Sequence, residues 1–346
     1  MKKLAKILTL ILAMGMVLSL VACGDAKAPA SSEAGAPAEA KKVAVVFTSS
    51  GLGDHNINDL VYSGLKKAEE DFGLVWDYSE PTNSAEYEGL LTGYADTGEY
   101  CLILCLGGSQ SASLENVAPN YPEQNFCILD AYVPGNNIRC YSWRDEELGF
   151  VTGVVGTALS KTNKLGFIGA MDIELCNLGA AGLTAGARYV SPDAQVLVDY
   201  ANGWEEVNGC YEMATAMNQQ GASLVYHTAG SGGLGILNAG KDNNFQTVFF
   251  AGTMNSFAPD TNIFCTMRNE DACAVAAAKD ALEGKFTADS IELGYSDGAF
   301  TLYTEGSNFE IPEDVMTLYT QVVEDIKAGT IVVPKTIDEA LTWTKP

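Results

Sequence analysis

The sequence predicts an α/β protein of two similar halves, each a parallel β-sheet covered by helices on both faces. Three observations carry this. Short runs that are apolar throughout, as at residues 43–47, 102–106 and 126–129, alternate with segments whose apolar residues recur at helical spacing. Strands of that kind are buried on both faces, as in parallel sheets under helices. The alternation pauses near residues 140–150 and begins again at 165. Polar or glycine-rich loops follow the strands, the side of an open α/β sheet on which ligands sit. The composition agrees: 346 residues, 47% hydrophobic and 18% charged, suit one large or two smaller globular domains and exclude collagen-like, mucin-like and wholly disordered chains.

In the first half, residues 43–47 form a strand that runs into a Ser/Gly loop. Residues 58–71 follow as a helix through Leu60, Val61, Leu65 and Ala68, then 74–76 as a strand and 85–98 as a helix. The strand at 102–106 ends in Gly107, Gly108 and Ser109, and the strand at 126–129 ends at Asp130. In the second half, strands at 165–169, 194–200, 224–227 and 248–252 alternate with helices at 180–190, at 207–219 and after the glycine loop that follows His227. Residues 291–293 and 300–303 read as further strands, and 312–328 as a helix. No repeat of solenoid period is visible. If the halves face each other, the loops at 48–58, 107–110, 130, 169–172, 203–204, 227–235 and 252–255 line one cleft.

Several function classes are excluded by composition and motif. Lys+Arg number 20 against 44 Asp+Glu, a formal charge of −24. That surface repels phosphate backbones and leaves no basic patch for nucleic acid. Two histidines, His55 and His227, cannot build a multi-His metal centre. Ser109 and Ser231 lie in glycine loops, but no Gly-x-Ser-x-Gly elbow surrounds them, and no P-loop or strict Gly-x-Gly-x-x-Gly follows a strand. An enzyme is therefore not expected, and neither is a cofactor or a metal.

The first residues read as an address. Lys2, Lys3 and Lys6 precede an uncharged apolar stretch at 7–20, too short and wrongly flanked for a membrane span but suited to a secretory signal. Leu20, Val21, Ala22 and Cys23 then resemble a bacterial lipobox. Residues 1–22 are expected to be a lipoprotein signal peptide and Cys23 the lipidated first residue of the mature chain. Residues 23–40, rich in Ala, Pro, Ser, Gly and Glu, have no large apolar side chain and read as a flexible tether. The expected location is the extracytoplasmic face of the cell membrane. Of the remaining cysteines, Cys101, Cys105 and Cys127 sit in apolar runs and no pair has Cys-x-x-Cys spacing. Mostly free thiols, acting as small hydrophobes, are expected.

Several stretches carry a family resemblance, in order over about residues 42–334. Gly53, Asp54, His55, Asn56, Ile57 and Asn58, followed by Gly64, form a first loop and helix start. Tyr87 and Glu88 precede the strand at 102–107, and Tyr121, Pro122 and Glu123 lead to Leu129 and Asp130. Residues 147–150 and 160–162 bracket a crossing helix, and 165–172 form the next strand and loop. Gln220, Gly221 and Ala222, residues 227–230 with 233–235, and residues 308–312 with 331–334 complete the set. Together these resemble the basic membrane protein family, the substrate-binding lipoproteins of ABC transporters related to a purine nucleoside receptor. The resemblance implies a type I periplasmic-binding-protein fold, in which two Rossmann-like lobes joined by hinge crossovers close on a ligand. It implies a monomer that hands its solute to an ABC permease without chemistry. The lobes are expected at residues 41–142 with 256–290, and at 143–255 with 291–340.

In that family a nucleoside's base lies between aromatic rings and its ribose hydroxyls on carboxylates. Carried over, the loop's acidic and amide residues fall on Asp54 and Asn58, types that equally suit turns and helix caps. The stacking aromatic falls on Ile57, and the acidic residue after the first strand on Thr48. Asp130 matches the acid at the end of a lobe-one strand. Trp204, in a glycine loop, offers a stacking platform, and Gly230 and Gly232 let backbone approach a ligand. The acid after the strand at 248 falls on Asn255, and the basic residue on Arg268. These ten are the expected ligand-binding residues. Thr48 and Asn255 remove two charged anchors, so the expected solute is nucleoside-like, with a flavin or another flat heterocycle as the alternative. A tethered sensor feeding a membrane receptor would need the same closure.

Overall fold

The computed structural model describes residues 41–346. The expected signal peptide, the lipidation site Cys23 and the tether lie outside the described residues. The chain begins with β1 (Lys42–Val46), α1 (Ile57–Phe72), β2 (Trp76–Ser79), α2 (Tyr87–Thr97), β3 (Tyr100–Leu106), α3 (Ser111–Val117), β4 (Phe126–Leu129) and β5 (Ile138–Trp143). It continues through α4 (Asp145–Leu159), β6 (Lys164–Gly169), α5 (Glu174–Val190), β7 (Gln195–Tyr200), α6 (Val207–Gln219), β8 (Leu224–Thr228), α7 (Gly233–Asn243) and β9 (Gln246–Phe250). It ends with β10 (Asn262–Arg268), α8 (Glu270–Leu282), β11 (Ser290–Leu293), β12 (Phe300–Tyr303), α9 (Glu313–Lys327) and α10 (Ile337–Thr342).

Two six-stranded sheets result, ordered β2-β1-β3-β4-β5-β11 and β7-β6-β8-β9-β10-β12. All neighbours are parallel except β12, which runs antiparallel to β10. Each sheet thus uses the same doubly wound order, with its switch point between the first and third strands of its half. In β1, alternate side chains enter opposite cores: Val43 and Val45 pack with Leu65, while Ala44 and Val46 pack with Tyr87 and Leu91. This is the two-faced burial that the apolar run at 43–47 requires.

Sheet pairing divides the lobes differently from the expected boundaries. β10, within the stretch 256–290 expected in lobe one, pairs with β9 in sheet two. Only α8, from the same stretch, packs on α1, β3 and β4 of lobe one. β11, expected in lobe two, pairs with β5 in sheet one. The reason is edge pairing: β9 and β5 would otherwise present unpaired backbone. The chain therefore crosses between lobes at residues 143–145, 268–270 and 293–300.

In lobe two, α4 and α5 lie backbone against backbone. A Cβ on Gly149 or Gly153 of α4 would collide with the carbonyl of Gly179 or Leu183, and one on Gly182 or Gly186 of α5 with that of Glu146 or Phe150. Small residues four apart give two helices this close approach. Cys101 is half-buried and the other seven described cysteines are buried, and all eight are free thiols. Burial pushes the thiol pKa of Cys210 and Cys265 up to about 11 and that of Cys273 to about 12, which keeps them unreactive. Among the described residues, no helix is long and apolar enough to cross a membrane.

Candidate functional site

The loops beyond the carboxyl ends of the strands of both sheets line a shared cleft, the place where open α/β sheets hold ligands. Lobe one contributes Thr48, Ser49, Ser50, Asp54, Asn56, Ile57, Gly107, Gly108, Ser109 and Asp130. Lobe two contributes Leu175, Trp204, Glu205, Thr228, Gly230, Ser231, Phe250 and Arg268. Of the expected site residues, Thr48, Asp54, Ile57, Asp130, Trp204, Gly230 and Arg268 come together here. Asn58, Gly232 and Asn255 are not part of the wall.

Each of those three has a different task. Asn58 is fully buried; its Oδ1 accepts from the Thr48 N–H at 3.0 Å, and its Nδ2 donates to Thr48 Oγ1 and the Gly51 carbonyl, each at 2.8 Å. It clamps the loop that forms the cleft floor. Gly232 lies behind the wall, where a Cβ would stand 2.9 Å from Cys210 Sγ. Asn255 is buried and donates to the carbonyls of Tyr303 and Glu305 at 2.9 and 3.0 Å, so it fastens the end of β12.

Asp54 combines the two roles its position allows. It lines the cleft, while its carboxylate accepts from the backbone N–H groups of Asn56, Asn58 and Asp59 at 2.9–3.2 Å. Those bonds satisfy free donors at the start of α1. Burial raises its pKa, and the three N–H donors oppose that rise. Ser49 N–H donates to the Tyr87 hydroxyl at 2.9 Å, which anchors the next turn of the same loop.

On the lobe-two side, Trp204 folds over the glycine loop. Its carbonyl accepts from the Gly232 N–H at 3.2 Å and from Ser231 Oγ at 3.3 Å. Gly230 has φ +56°, and a Cβ there would come 2.8 Å from that carbonyl. Glycine is needed at this point both for conformation and for space. Phe250, the last residue of β9, supplies a second aromatic face to the cleft. Sequence reasoning placed it inside a strand; its signal was its position as the last strand residue before the loop at 251–255. Leu175, Glu205 and Thr228 were also missed.

Arg268, at the carboxyl end of β10, is the electrostatic centre. One nitrogen, Nη1, donates to Asp130 Oδ1 at 2.9 Å and to Asp145 Oδ2 at 3.0 Å, and Nε donates to Glu270 Oε1 at 2.7 Å. Nη2 also pairs with Glu270. The rings of Trp143 and Phe250 lie 4.8 and 4.9 Å from the guanidinium carbon, within cation–π range. Burial raises the carboxyl pKa of Asp145 to about 8 and of Glu270 to about 7, against the pull of Arg268.

The lobes touch across the mouth. Ser50 Oγ donates to Glu205 Oε1 at 2.9 Å, and Asn56 Nδ2 donates to the Phe250 carbonyl at 3.2 Å. Beside them, a Cβ on Gly252 would collide with the carbonyl of His55. His55 and Ala251 both hold positive φ, 54° and 52°, a conformation non-glycine residues keep only where packing imposes it. The His55 side chain is half exposed, next to Asp59. The cleft in this structure is closed.

The comparisons with known proteins agree with this architecture. The chain is 27% identical to the CD4+ T-cell-stimulating antigen of Listeria monocytogenes over 352 residues, covering 95% of this chain and 97% of that protein. It is 25% identical to the ABC transporter nucleoside-binding protein BmpA of Lactococcus lactis, covering 85% and 89%. A crystal structure of an ABC transporter solute-binding protein from Aeropyrum pernix superposes with a TM-score of 0.78 at 24% identity, over 87% of this chain and 96% of that one. Such a likeness shows the shared fold, two lobes around a cleft. The model of the family described as ABC transporter substrate-binding protein PnrA-like matches residues 41–336, and the chain belongs to that family, Bmp.

Proposed function

We infer that this chain captures a neutral, nucleoside-like solute between its lobes and delivers it, as a monomer anchored through Cys23, to an ABC permease at the outer face of the membrane. Members of its family are substrate-binding proteins, not enzymes, so the site needs recognition only. The observation that carries the reading is the lining itself. Two aromatic side chains, Trp204 and Phe250, share the cleft with a row of hydroxyls and with Asp54, Asp130 and Glu205. A flat base gains from aromatic faces, and ribose hydroxyls donate well to carboxylates. The one guanidinium at the wall, Arg268, is already engaged by three carboxyl groups, so it has no free charge to offer a phosphate, which Glu205 at the wall would repel. That favours nucleosides over nucleotides, as does the similarity to the nucleoside-binding protein BmpA of Lactococcus lactis.

A thermal-shift screen of the chain from Lys41 tests this, with nucleosides, nucleoside monophosphates, flavins, sugars and amino acids as probes. A ligand at a hundredfold excess over its Kd stabilises the folded state by about 2.7 kcal/mol. Shifts with nucleosides and none with their monophosphates support the reading. Shifts with sugars or amino acids alone overturn it. A shift with riboflavin alone keeps the stacking site and replaces the solute.

A further inference from the structure

The carboxylates around Arg268 outnumber its charge, and their placement gives them a task that no ligand contact explains. Asp130 ends β4 in lobe one, Asp145 opens α4 at the first crossover, and Glu270 opens α8 at the second. All three meet one guanidinium on β10, Asp130 and Asp145 at the same nitrogen. Asp145 Oδ1 and Glu270 Oε2 are buried and have no hydrogen-bond partner among the described residues. The Trp143 and Phe250 rings flank the guanidinium. Other groups facing the set add no positive charge. Asp54 faces Glu270 and Glu146 faces Asp145, while the Tyr226 phenol and the Cys273 thiol are neutral there. Lys335 stands 3.7 Å from Glu146 but pairs more closely with Glu292, at 3.0 Å.

Three ionised carboxylates around one buried cation leave two uncompensated charges, which a low-dielectric site does not hold. Asp130 belongs to one lobe and Arg268 to the other, so the full set assembles only when the lobes meet. We propose that Asp145 and Glu270 are positioning residues that act through Arg268 to fix Asp130 at the solute, and that closing the cleft takes up a proton into this carboxylate set. This rests on the nucleoside reading above. Because assembly raises carboxyl pKa values in the closed state, the closed state is favoured at low pH. That advantage is lost as pH rises through the neutral range to which Glu270 and Asp145 are raised. Between the ordinary carboxyl range and that neutral range, one linked proton weakens affinity by up to about tenfold per pH unit, and above it the dependence levels off.

The test is calorimetric titration of the whole soluble chain with inosine and adenosine from about pH 6 to about pH 9, in buffers of different ionisation heat. The expected result is proton uptake on binding and a Kd that rises with pH up to the neutral range, both levelling off above it. In Glu270→Gln or Asp145→Asn, which keep the side-chain shape, the uptake and the slope are expected to shrink, a change that a purely structural role would not produce. Nucleoside binding with no proton uptake and a flat pH profile overturns the proposal. If no nucleoside binds at any pH, the nucleoside reading fails instead, and the proton is read without ligand by carbon-13 NMR titration of the Asp and Glu carboxyls in a chain held closed by a crosslink between Ser50→Cys and Glu205→Cys, whose side chains meet across the mouth. A carboxyl titrating near neutral pH and missing from either variant supports the set; carboxyls that all titrate in the ordinary acid range overturn it.

Discussion

Trp204 shows how much one side chain can carry. Its ring faces the cleft, and its backbone carbonyl holds the glycine loop that closes the lobe-two wall. Truncation to alanine removes the ring and leaves the carbonyl in place. Trp204→Ala is therefore expected to weaken nucleoside binding by about 1–3 kcal/mol, the usual worth of a base stacked on an aromatic ring, with little change in melting temperature; calorimetric titration checks it. Thr228 is a second case. It lines the cleft at the end of β8, and its Oγ1 is buried without a partner among the described residues. Replacing such a group by an apolar one of equal shape is neutral or stabilising. Thr228→Val is expected to hold or raise the melting temperature of the unliganded chain, and a clear drop would show that the hydroxyl is engaged. Asp130 and Trp204 were legible as cleft candidates because each is large or charged and follows the end of an apolar strand run, whereas Arg268 was reached only through the family resemblance. Asn58 and Asn255 were not. An amide serves a ligand or a backbone carbonyl equally well, and only the fold brings the carbonyls of Gly51, Tyr303 and Glu305 to them.

At the scale of elements, the α4–α5 pair is the most constrained contact in lobe two. A methyl group on Gly182 or Gly186 would meet backbone atoms, which cannot rotate away. Overpacking of this kind costs about 1–3 kcal/mol or more. Gly186→Ala is expected to lower the melting temperature by several degrees, while Gly89→Ala in α2, where nothing lies within 4 Å, is expected to raise it slightly through helix propensity. Parallel thermal melts of the two variants compare them directly. The elements that sequence reasoning found best, β4, α6 and β12, have clear patterns: wholly apolar, amphipathic, or bounded by turn residues. Those it passed over are instructive. β5 carries Arg139, which is buried yet paired with Asp280. β10 holds Asn262, Thr266 and Arg268, all buried. Polar residues satisfied by distant partners break an apolar run without breaking a strand. α8 hides for another reason: its buried face is built from Ala274, Ala277, Ala278 and Ala281, and alanine gives little hydrophobic contrast. β2 begins two residues after the start of its expected run because it is an edge strand, with Asp77 and Tyr78 exposed.

At the scale of the whole molecule, the three crossings and the shared Arg268 set bind the lobes into one cooperative body. A single calorimetric unfolding transition is expected. Two well-separated transitions would show that each lobe holds its own core, contrary to the way α8 packs on lobe one while β10 completes sheet two. The discontinuity of the lobes also has a consequence in time. A chain emerging from the ribosome has made nearly all of both sheets by residue 269. Yet sheet one still lacks α8 and its edge strand β11, and sheet two still lacks β12 and the cover that α9 lays on α4. Neither half can be sealed before the last quarter of the chain arrives, and until then the nascent protein carries bare apolar faces and unpaired strand edges. Long-range closure of this sort makes folding slow and leaves such faces open to association, so the molecule depends during synthesis on being completed before it is crowded.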